Sequence, residues 1–511
     1  MSTRRLMGLS VVGGMAAALG HAPFGLWPVG LAGFALLIAC VCGALPRTPG
    51  YLETEDAGPG LSRVRAAWAA WAGGVGYFAL SLLWIIEPFL VDVARHGWMA
   101  PFALVFMAGG LALFWALAGW IGAGRVLVFV VALAAAEMLR GHVFTGFPWA
   151  LPAYIWAETP VRMIASLVGP YGLSVVTLFI AALPMLLRGR ERSRRLWRGA
   201  GILGLCLVVA GLFGVGVGLR GSPPSSDFLG TVRLVQPNAP QDEKWDPERA
   251  HIFVERQIEF TGAAKQNVDL IVWPETALPY RLDRVAPVLG QIAGAAEGVP
   301  VVTGINRSEA GRNHNSLIVV GPNGLAGEVY DKVHLVPFGE YIPFGQVVQV
   351  LGLRSFAARD GYGFSPGVGV RLIDTPLGRA LPLICYEAIF PGHGRGLQRP
   401  DYLLQITNDA WFGTVSGPFQ HLDQARFRAV EQGLSLIRAA NTGVSAVIDA
   451  RGEVIESLEL GEAGFLDVEV PRARFATIYA RTGDIPAAIF LLVTLTALTV
   501  AERRNSIAKA S

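Results

Sequence analysis

Seven long apolar stretches crowd the first 220 residues of this 511-residue chain, and an eighth lies near its C-terminus. They run over about 7–20, 29–45, 66–86, 101–123, 126–139, 164–187, 199–219 and 485–500. In hydrocarbon every backbone N–H and C=O must find its partner within the segment, so apolar runs of ~20 residues cross a bilayer as helices. The pattern predicts a multi-span α-helical membrane bundle of about eight helices. The first, fifth and last stretches are short. Arg4 and Arg5 before the first would also suit a cleaved signal peptide, but six more apolar runs follow it in this half of the chain. Composition agrees, with 52% hydrophobic residues and 16% charged, against ~25% charged in soluble domains. A wholly soluble chain and a disordered one are both excluded.

Charge sets the orientation. With the N-terminus cytoplasmic and eight spans, the segments on that side hold fifteen basic residues, including Arg188, Arg190, Arg192, Arg194, Arg195 and Arg198. The short connections on the other side hold three, Arg95, Arg140 and Arg162. The positive-inside rule then puts both termini in the cytoplasm and the long segment after Leu219 in the periplasm of a bacterial inner membrane. Three domains are expected: 1–221, a transmembrane region of about seven helices; 222–480, periplasmic and catalytic; and 481–511, a last span with a cytoplasmic tail.

Ser222-Pro-Pro-Ser-Ser reads as a linker, and β-type runs then alternate with turns and helical stretches. Strands are expected at 231–236, 269–273, 300–303, 316–320, 381–385, 402–407, 445–448 and 464–468. Helices are expected at 247–266, 285–297 and 422–436, with hairpin turns at Pro322–Gly324 and Arg451-Gly452. This is an α/β domain long enough for a full core. A net charge of +3 without a basic stripe excludes a nucleic-acid binder.

Three residues stand out chemically. Of four cysteines, Cys40, Cys42 and Cys206 lie in apolar runs, whereas Cys385 ends the β run Leu381-Pro-Leu-Ile-Cys. A thiol at the end of a core strand is either a nucleophile or a buried structural group. Glu275 ends Asp269-Leu-Ile-Val-Trp-Pro-Glu, where the proline closes the ladder and holds the carboxylate at the strand exit. It reads as a general base or as a solvated turn residue. Lys332 is one of only four lysines beside 38 arginines, and a compact ammonium suits a developing oxyanion. A thiol, a base and a cation together suffice for covalent acyl chemistry. No G-x-S-x-G elbow, H-E-x-x-H helix or Cys/His cluster competes, so neither a metal nor a cofactor is expected.

Trp273-Pro-Glu275, Asp331-Lys-Val-His-Leu-Val-Pro-Phe-Gly-Glu340 and Ile384-Cys-Tyr-Glu387 resemble the nitrilase, or carbon–nitrogen hydrolase, superfamily. Thr407-Asn-Asp-Ala-Trp-Phe-Gly413 and Arg438-Ala-Ala-Asn-Thr-Gly-Val-Ser445 fit it too. Flanked by seven helices and one, with Thr145-Gly-Phe-Pro-Trp149 in the first part, the chain resembles the bacterial apolipoprotein N-acyltransferase family. The resemblance implies an αββα sandwich and a Glu275–Lys332–Cys385 triad. It implies transfer of an acyl chain from a membrane phospholipid, phosphatidylethanolamine, to the α-amino group of a diacylglyceryl-cysteine on an apolipoprotein. Cys385 would hold the chain as a thioester, Glu275 would move protons and Lys332 would stabilise the oxyanion. Glu340, Glu387 and Tyr386 would support them, and Trp245, Asn408 and Trp411 would line the pocket. Trp411 also fits as an ordinary core aromatic.

A lipid donor requires a site at the membrane surface, because extracting an acyl chain costs ~0.8 kcal/mol per CH₂. The apolar segment 347–356 reads as a lid hinged near Gly345 and Gly352, or as a core helix. Two rival functions are a membrane-tethered amidase that passes the acyl group to water and a transporter or receptor with a ligand-binding domain. One helix would serve the first. The second would place ionisable residues within its spans, and here Glu137 is the main one.

Overall fold

The computed structural model describes residues 1–45, 61–187, 194–221, 227–264, 267–343 and 363–510. The Ser222-Pro-Pro-Ser-Ser linker and the 347–356 lid segment, with Gly345 and Gly352, lie outside the described residues. The chain forms two compact units, Met1–Gly221 with Thr477–Ser511, and Ser222–Ala476.

In the first unit each apolar stretch carries a helix: Thr3–Ala18, Trp27–Val41, Arg63–Ser81, Ala100–Gly122, Val126–Arg140, Ala165–Leu186, Arg194–Arg220 and Ile485–Ala510. Ser2 caps the first by accepting from the Arg5 N–H, and prolines open the Trp27–Val41 and Ala100–Gly122 helices, where a missing N–H costs nothing. Small residues let backbones meet: a Cβ on Gly14 would collide with the Gly73 carbonyl of the third helix. Among the described residues, three helical stretches are long and apolar enough to cross a membrane, Val93–Gly122, Pro160–Leu186 and Leu203–Arg220. Arg63–Ser81 with Leu83–Leu90, bent by 65°, would make a fourth. The 15-residue Trp27–Val41 helix reaches only ~22 Å at 1.5 Å per residue, against a core of ~30 Å. Eight full spans therefore do not follow from helix length.

Two of the three basic residues that the charge count assigns to the outer connections are not loop charges. Arg140 and Arg162 are buried. Arg140 pairs with Glu137 at 2.6 Å, and Trp115 Nε1 donates to the other Glu137 oxygen at 2.7 Å. Arg162 donates to the Ala157 carbonyl at 2.8 Å. Of the three, only Arg95 is exposed.

The second unit is an αββα sandwich. Its strands are β1 (Phe228–Gln236), β2 (Leu270–Val272), β3 (Leu278–Arg281), β4 (Val301–Glu309), β5 (Arg312–Val320), β6 (Ala326–Asp331), β7 (Ile373–Thr375), β8 (Gly378–Ile384), β9 (Tyr402–Thr407), β10 (Leu436–Ala440), β11 (Ser445–Ile448), β12 (Val454–Leu458) and β13 (Gly464–Pro471). One sheet runs β13-β1-β2-β4-β5-β6, with β3 joined to β4; the other runs β12-β11-β10-β9-β8-β7. Both are mixed: β1, β2 and β4 are parallel and β3 joins β4 in parallel, as β8, β9 and β10 are parallel, while β13, β5, β6, β7, β11 and β12 pair antiparallel. The sheets pack face to face through Val232, Leu234, Val272, Leu317, Ile384, Ile406 and Ile437. Residues of the Ala250–Gly262 and Ala286–Ala296 helices cover the first sheet, and the Gly417–Gln432 helix covers the second.

The expected 422–436 helix ends earlier, at Gln432. Gly433 takes a left-handed cap at φ 65°, and Leu436 already belongs to β10. A short apolar strand buried on both faces has no alternation to distinguish it from a continuing helix. Strands β3, β6, β7 and β12 were also not foreseen; β6, β7 and β12 are sheet edges, short and half polar. The hairpin turns at Pro322–Gly324 and Arg451-Gly452 join β5 to β6 and β11 to β12.

Candidate active site

Strands β2 and β6 of one sheet and β8 and β9 of the other bring four polar segments together at their C-terminal ends. At the exit of β2, the Trp273 N–H still bonds the Val302 carbonyl, and the Gly304 N–H bonds the Pro274 carbonyl. Glu275 follows, buried. Its Oε1 accepts from Asn315 Nδ2 at 2.7 Å and from Lys332 Nζ at 3.4 Å, and its Oε2 accepts the Asn408 N–H at 2.9 Å. Gly304 makes room for this turn: a Cβ there would lie 2.7 Å from the Glu275 Cα.

Lys332 is the first residue after β6 and is 1% exposed. Its Nζ donates to Glu340 Oε1 at 2.9 Å as well as to Glu275. Glu340 also accepts from Asn315 Nδ2 at 3.1 Å and from the Val336 N–H at 2.8 Å. Burial opposes the ammonium, but Glu340, then Glu275 and Cys385, outweigh it and hold the Lys332 pKa well above the ordinary lysine value. Lys332 therefore stays a cation.

Cys385 stands just beyond β8, not on it as the sequence suggested. It opens a 3-10 turn, Cys385–Ile389, with φ 48°. The left-handed region is costly for a non-glycine residue and is maintained where the surroundings over-determine it. Burial pushes the thiol pKa up and Glu275 pushes it further, while Lys332 and a hydrogen bond with Thr407 work the other way. The thiol is neutral at rest and needs a base before it can attack.

Glu387 supports the site through its backbone contacts. Among the described residues no hydrogen bond joins it to Lys332 or Glu275, and burial raises its pKa against the pull of those backbone bonds and the Lys332 charge. Its Oε1 accepts from the N–H groups of Val333 and His334 and from Tyr330 Oη, and its Oε2 accepts the Ile384 N–H at 2.8 Å. It thereby ties the segment after Lys332 to the residue before Cys385. His334, Glu387 and His393 have side-chain ligand atoms within 4.8 Å of one another, but four donors already engage this carboxylate, so it reads as a structural tie. Tyr386 stacks edge-on against Phe390. Asn408 supplies a backbone donor to Glu275, while its side chain bonds Gln241 at 2.8 Å and Asn441 at 2.8 Å. Trp245 and Trp411 are half-buried.

Sequence reasoning missed Asn315, Gly304 and the network behind Cys385. His421 Nε2 lies 3.1 Å from the Cys385 carbonyl, and its Nδ1 lies 2.9 Å from Asp409 Oδ1. Asp409 also pairs with Arg438 and accepts from Thr407 Oγ1 at 2.8 Å. Burial raises the Asp409 pKa, but Arg438 and His421 overcome it and hold the group down at about 2. A folded pKa below the unfolded one stabilises the protein above about pH 4, and this stabilisation is lost as pH falls toward 2. Asp409→Asn should cost about 3–5 kcal/mol because it strands the buried Arg438, and it should flatten the acid limb of the stability curve. A loss under ~1 kcal/mol in chemical denaturation would show that the network carries little of the fold's stability.

Comparison with known proteins matches both units of the chain to described families. Residues 231–479 match the carbon–nitrogen hydrolase family, and residues 13–183 match the apolipoprotein N-acyltransferase N-terminal domain. A Caulobacter vibrioides apolipoprotein N-acyltransferase is 40% identical over 95% of this chain and 92% of its own length. Those of Rhodopseudomonas palustris and Brucella melitensis are 36% and 38% identical, over 97% and 95% of this chain and 95% and 93% of theirs. Among solved structures, a Nesterenkonia amidase of the nitrilase superfamily aligns at 18% identity over 49% of this chain and 94% of its own, with a TM-score of 0.37. A Helicobacter pylori carbon–nitrogen hydrolase aligns at 18% identity over 47% and 88%, also with a TM-score of 0.37. Both halves of the chain thus match their counterparts along nearly the full length of curated relatives, and the chain belongs to the apolipoprotein N-acyltransferase family.

Proposed function

We propose that this enzyme moves the sn-1 acyl chain of a membrane phospholipid, phosphatidylethanolamine, onto the α-amino group of an apolipoprotein's diacylglyceryl-cysteine. Glu275 takes the Cys385 proton as sulfur attacks the ester carbonyl. The C–O bond breaks, and the lysophospholipid leaves as an alcohol carrying that proton. The amine then attacks the Cys385 thioester, gives its proton to Glu275, and the thiol is restored as the amide forms. Lys332 faces the oxyanion in both halves. Covalent retention lets one product leave before the second substrate enters.

The observation that carries this reading is the convergence of a neutral buried thiol, a carboxylate and a permanently charged lysine in a chain of this family. Its test is mass spectrometry of the protein after incubation with phospholipid micelles. The expected product is one acyl-sized adduct on Cys385; an enzyme that turns over with no such adduct overturns the thioester route.

The reading includes the topology: about eight spans, both termini cytoplasmic, and residues 222–480 in the periplasm. The basic run from Arg188 to Arg198 and the scarcity of exposed basic residues opposite support it. Reporter fusions after Arg198 and at Asn238 should report opposite sides of the membrane. The same side for both would mean an odd error in the number of spans.

A further inference from the structure

Lysine is scarce here, and the argument that singles out Lys332 applies equally to Lys244. Lys244 lies between β1 and the Ala250–Gly262 helix, 3% exposed. A buried ammonium is expensive unless it is well partnered. Lys244 does not take the partner that electrostatics would favour: the Glu275 carboxylate oxygens are occupied by Asn315, Lys332 and Asn408. Its Nζ donates instead to the Glu275 carbonyl at 3.1 Å and to Thr276 Oγ1 at 3.0 Å. Those two acceptors flank one peptide unit. Thr276 is held at φ 46°, a left-handed conformation that a β-branched residue adopts only under constraint.

We infer that Lys244 is a positioning residue, which pins the Glu275–Thr276 peptide from below and so aims the Glu275 carboxylate at the thiol. The Gly304 N–H on the neighbouring strand bonds the Pro274 carbonyl just before this turn, and Asn408 holds the carboxylate's far oxygen, so the base is held from three sides. The Lys244 loop is itself tied to the site, since Gln241 Oε1 accepts from Asn408 Nδ2 at 2.8 Å. The ammonium also lies 5.9 Å from the centre of the Trp245 ring, linking the base to a pocket aromatic. Burial draws the Lys244 pKa down to about 7, with Glu275 resisting. Either protonation state of the amine can donate the two bonds to the Glu275–Thr276 turn.

The inference rests on Glu275 acting as the base for Cys385. Its test therefore uses two readouts: the rate at which iodoacetamide alkylates Cys385, followed by peptide mass spectrometry, and the rate of acyl-enzyme formation from phosphatidylethanolamine micelles. Lys244→Met keeps the chain length and loses both donated bonds. It should slow both rates about 10–100-fold, as a misaimed catalytic group does, with KM for the phospholipid changed less than about twofold. Thr276→Val keeps the branched shape and removes one acceptor, and should lose about 3–10-fold. Thermal unfolding of each variant supplies the folded fraction. Wild-type rates in Lys244→Met, or a loss no larger than its fall in folded fraction, would overturn the positioning role. So would a rise in KM alone. If wild-type Cys385 takes no acyl group from phospholipid, the proposed function fails, while the alkylation comparison still decides the role of Lys244.

Discussion

Cys385→Ala should abolish acyl transfer, with a loss of about 10⁴-fold or more, and leave the protein folded. In the proposed mechanism the thiol sulfur is the atom that bonds to the acyl chain, and no other cysteine belongs to the sandwich unit. The substitution removes one sulfur and no hydrogen-bonded charge. Alanine meets the same strain at φ 48° as cysteine does, so the unfolding midpoint should stay within a few degrees of wild type. Cys385→Ser should be almost as inactive, because an alcohol is far harder to deprotonate in a site that already pushes the thiol pKa up. The contrast is the triple replacement of Cys40, Cys42 and Cys206. The first two are buried and the third is exposed, and the triple variant should lose only modest packing stability and keep its activity. Assay of purified variants in phospholipid micelles decides the matter. Substantial turnover by Cys385→Ala sinks the covalent mechanism.

Lys332→Ala should lower kcat about 10²–10³-fold, or roughly 2.7–4 kcal/mol of barrier, as removal of an oxyanion stabiliser does. Lys332→Arg should be nearly as damaging. The ammonium sits 2.9 Å from Glu340 and 3.4 Å from Glu275 in a space with 1% exposure, and a planar guanidinium cannot place a point charge there. In the proposed mechanism both half-reactions should slow, since making and breaking the thioester each pass through a tetrahedral oxyanion. The alanine variant also leaves two buried carboxylates without their cation, so its folded fraction must be measured beside its rate. Acylation of Cys385 and transfer to an amine should be timed separately. Near wild-type rates for Lys332→Arg in both would show that the lysine is a replaceable ion-pair partner.

Much of this was legible in the chain, for identifiable reasons. The apolar stretches gave a helix each, because a continuous apolar run has few other ways to satisfy its backbone. Glu275, Lys332 and Cys385 could be singled out because each combines a reactive group with a strand end or an unusual scarcity. Other features were hidden. β10 was read as the tail of a helix, since a short buried strand shows no alternation. Arg140 and Arg162 counted as loop charges until the fold buried them against Glu137 and the Ala157 carbonyl. Asn315 and Gly304 carry no chemistry of their own, and their importance comes entirely from what lies beside them.

From residues alone came the division into an apolar-helix part and an α/β part, most of the inner strands, and the choice of Glu275, Lys332 and Cys385 as the chemically capable side chains. These depend on local quantities: hydrophobic period, turn chemistry and the identity of single residues. Only the tertiary structure decided which groups serve them. Asn408 meets Glu275 across 133 residues of chain, and Lys244 reaches the same turn across 31. Whether such groups meet depends on sheet order, strand register and the face-to-face packing of two sheets. These are set by the burial of the whole core, which no local stretch of sequence encodes.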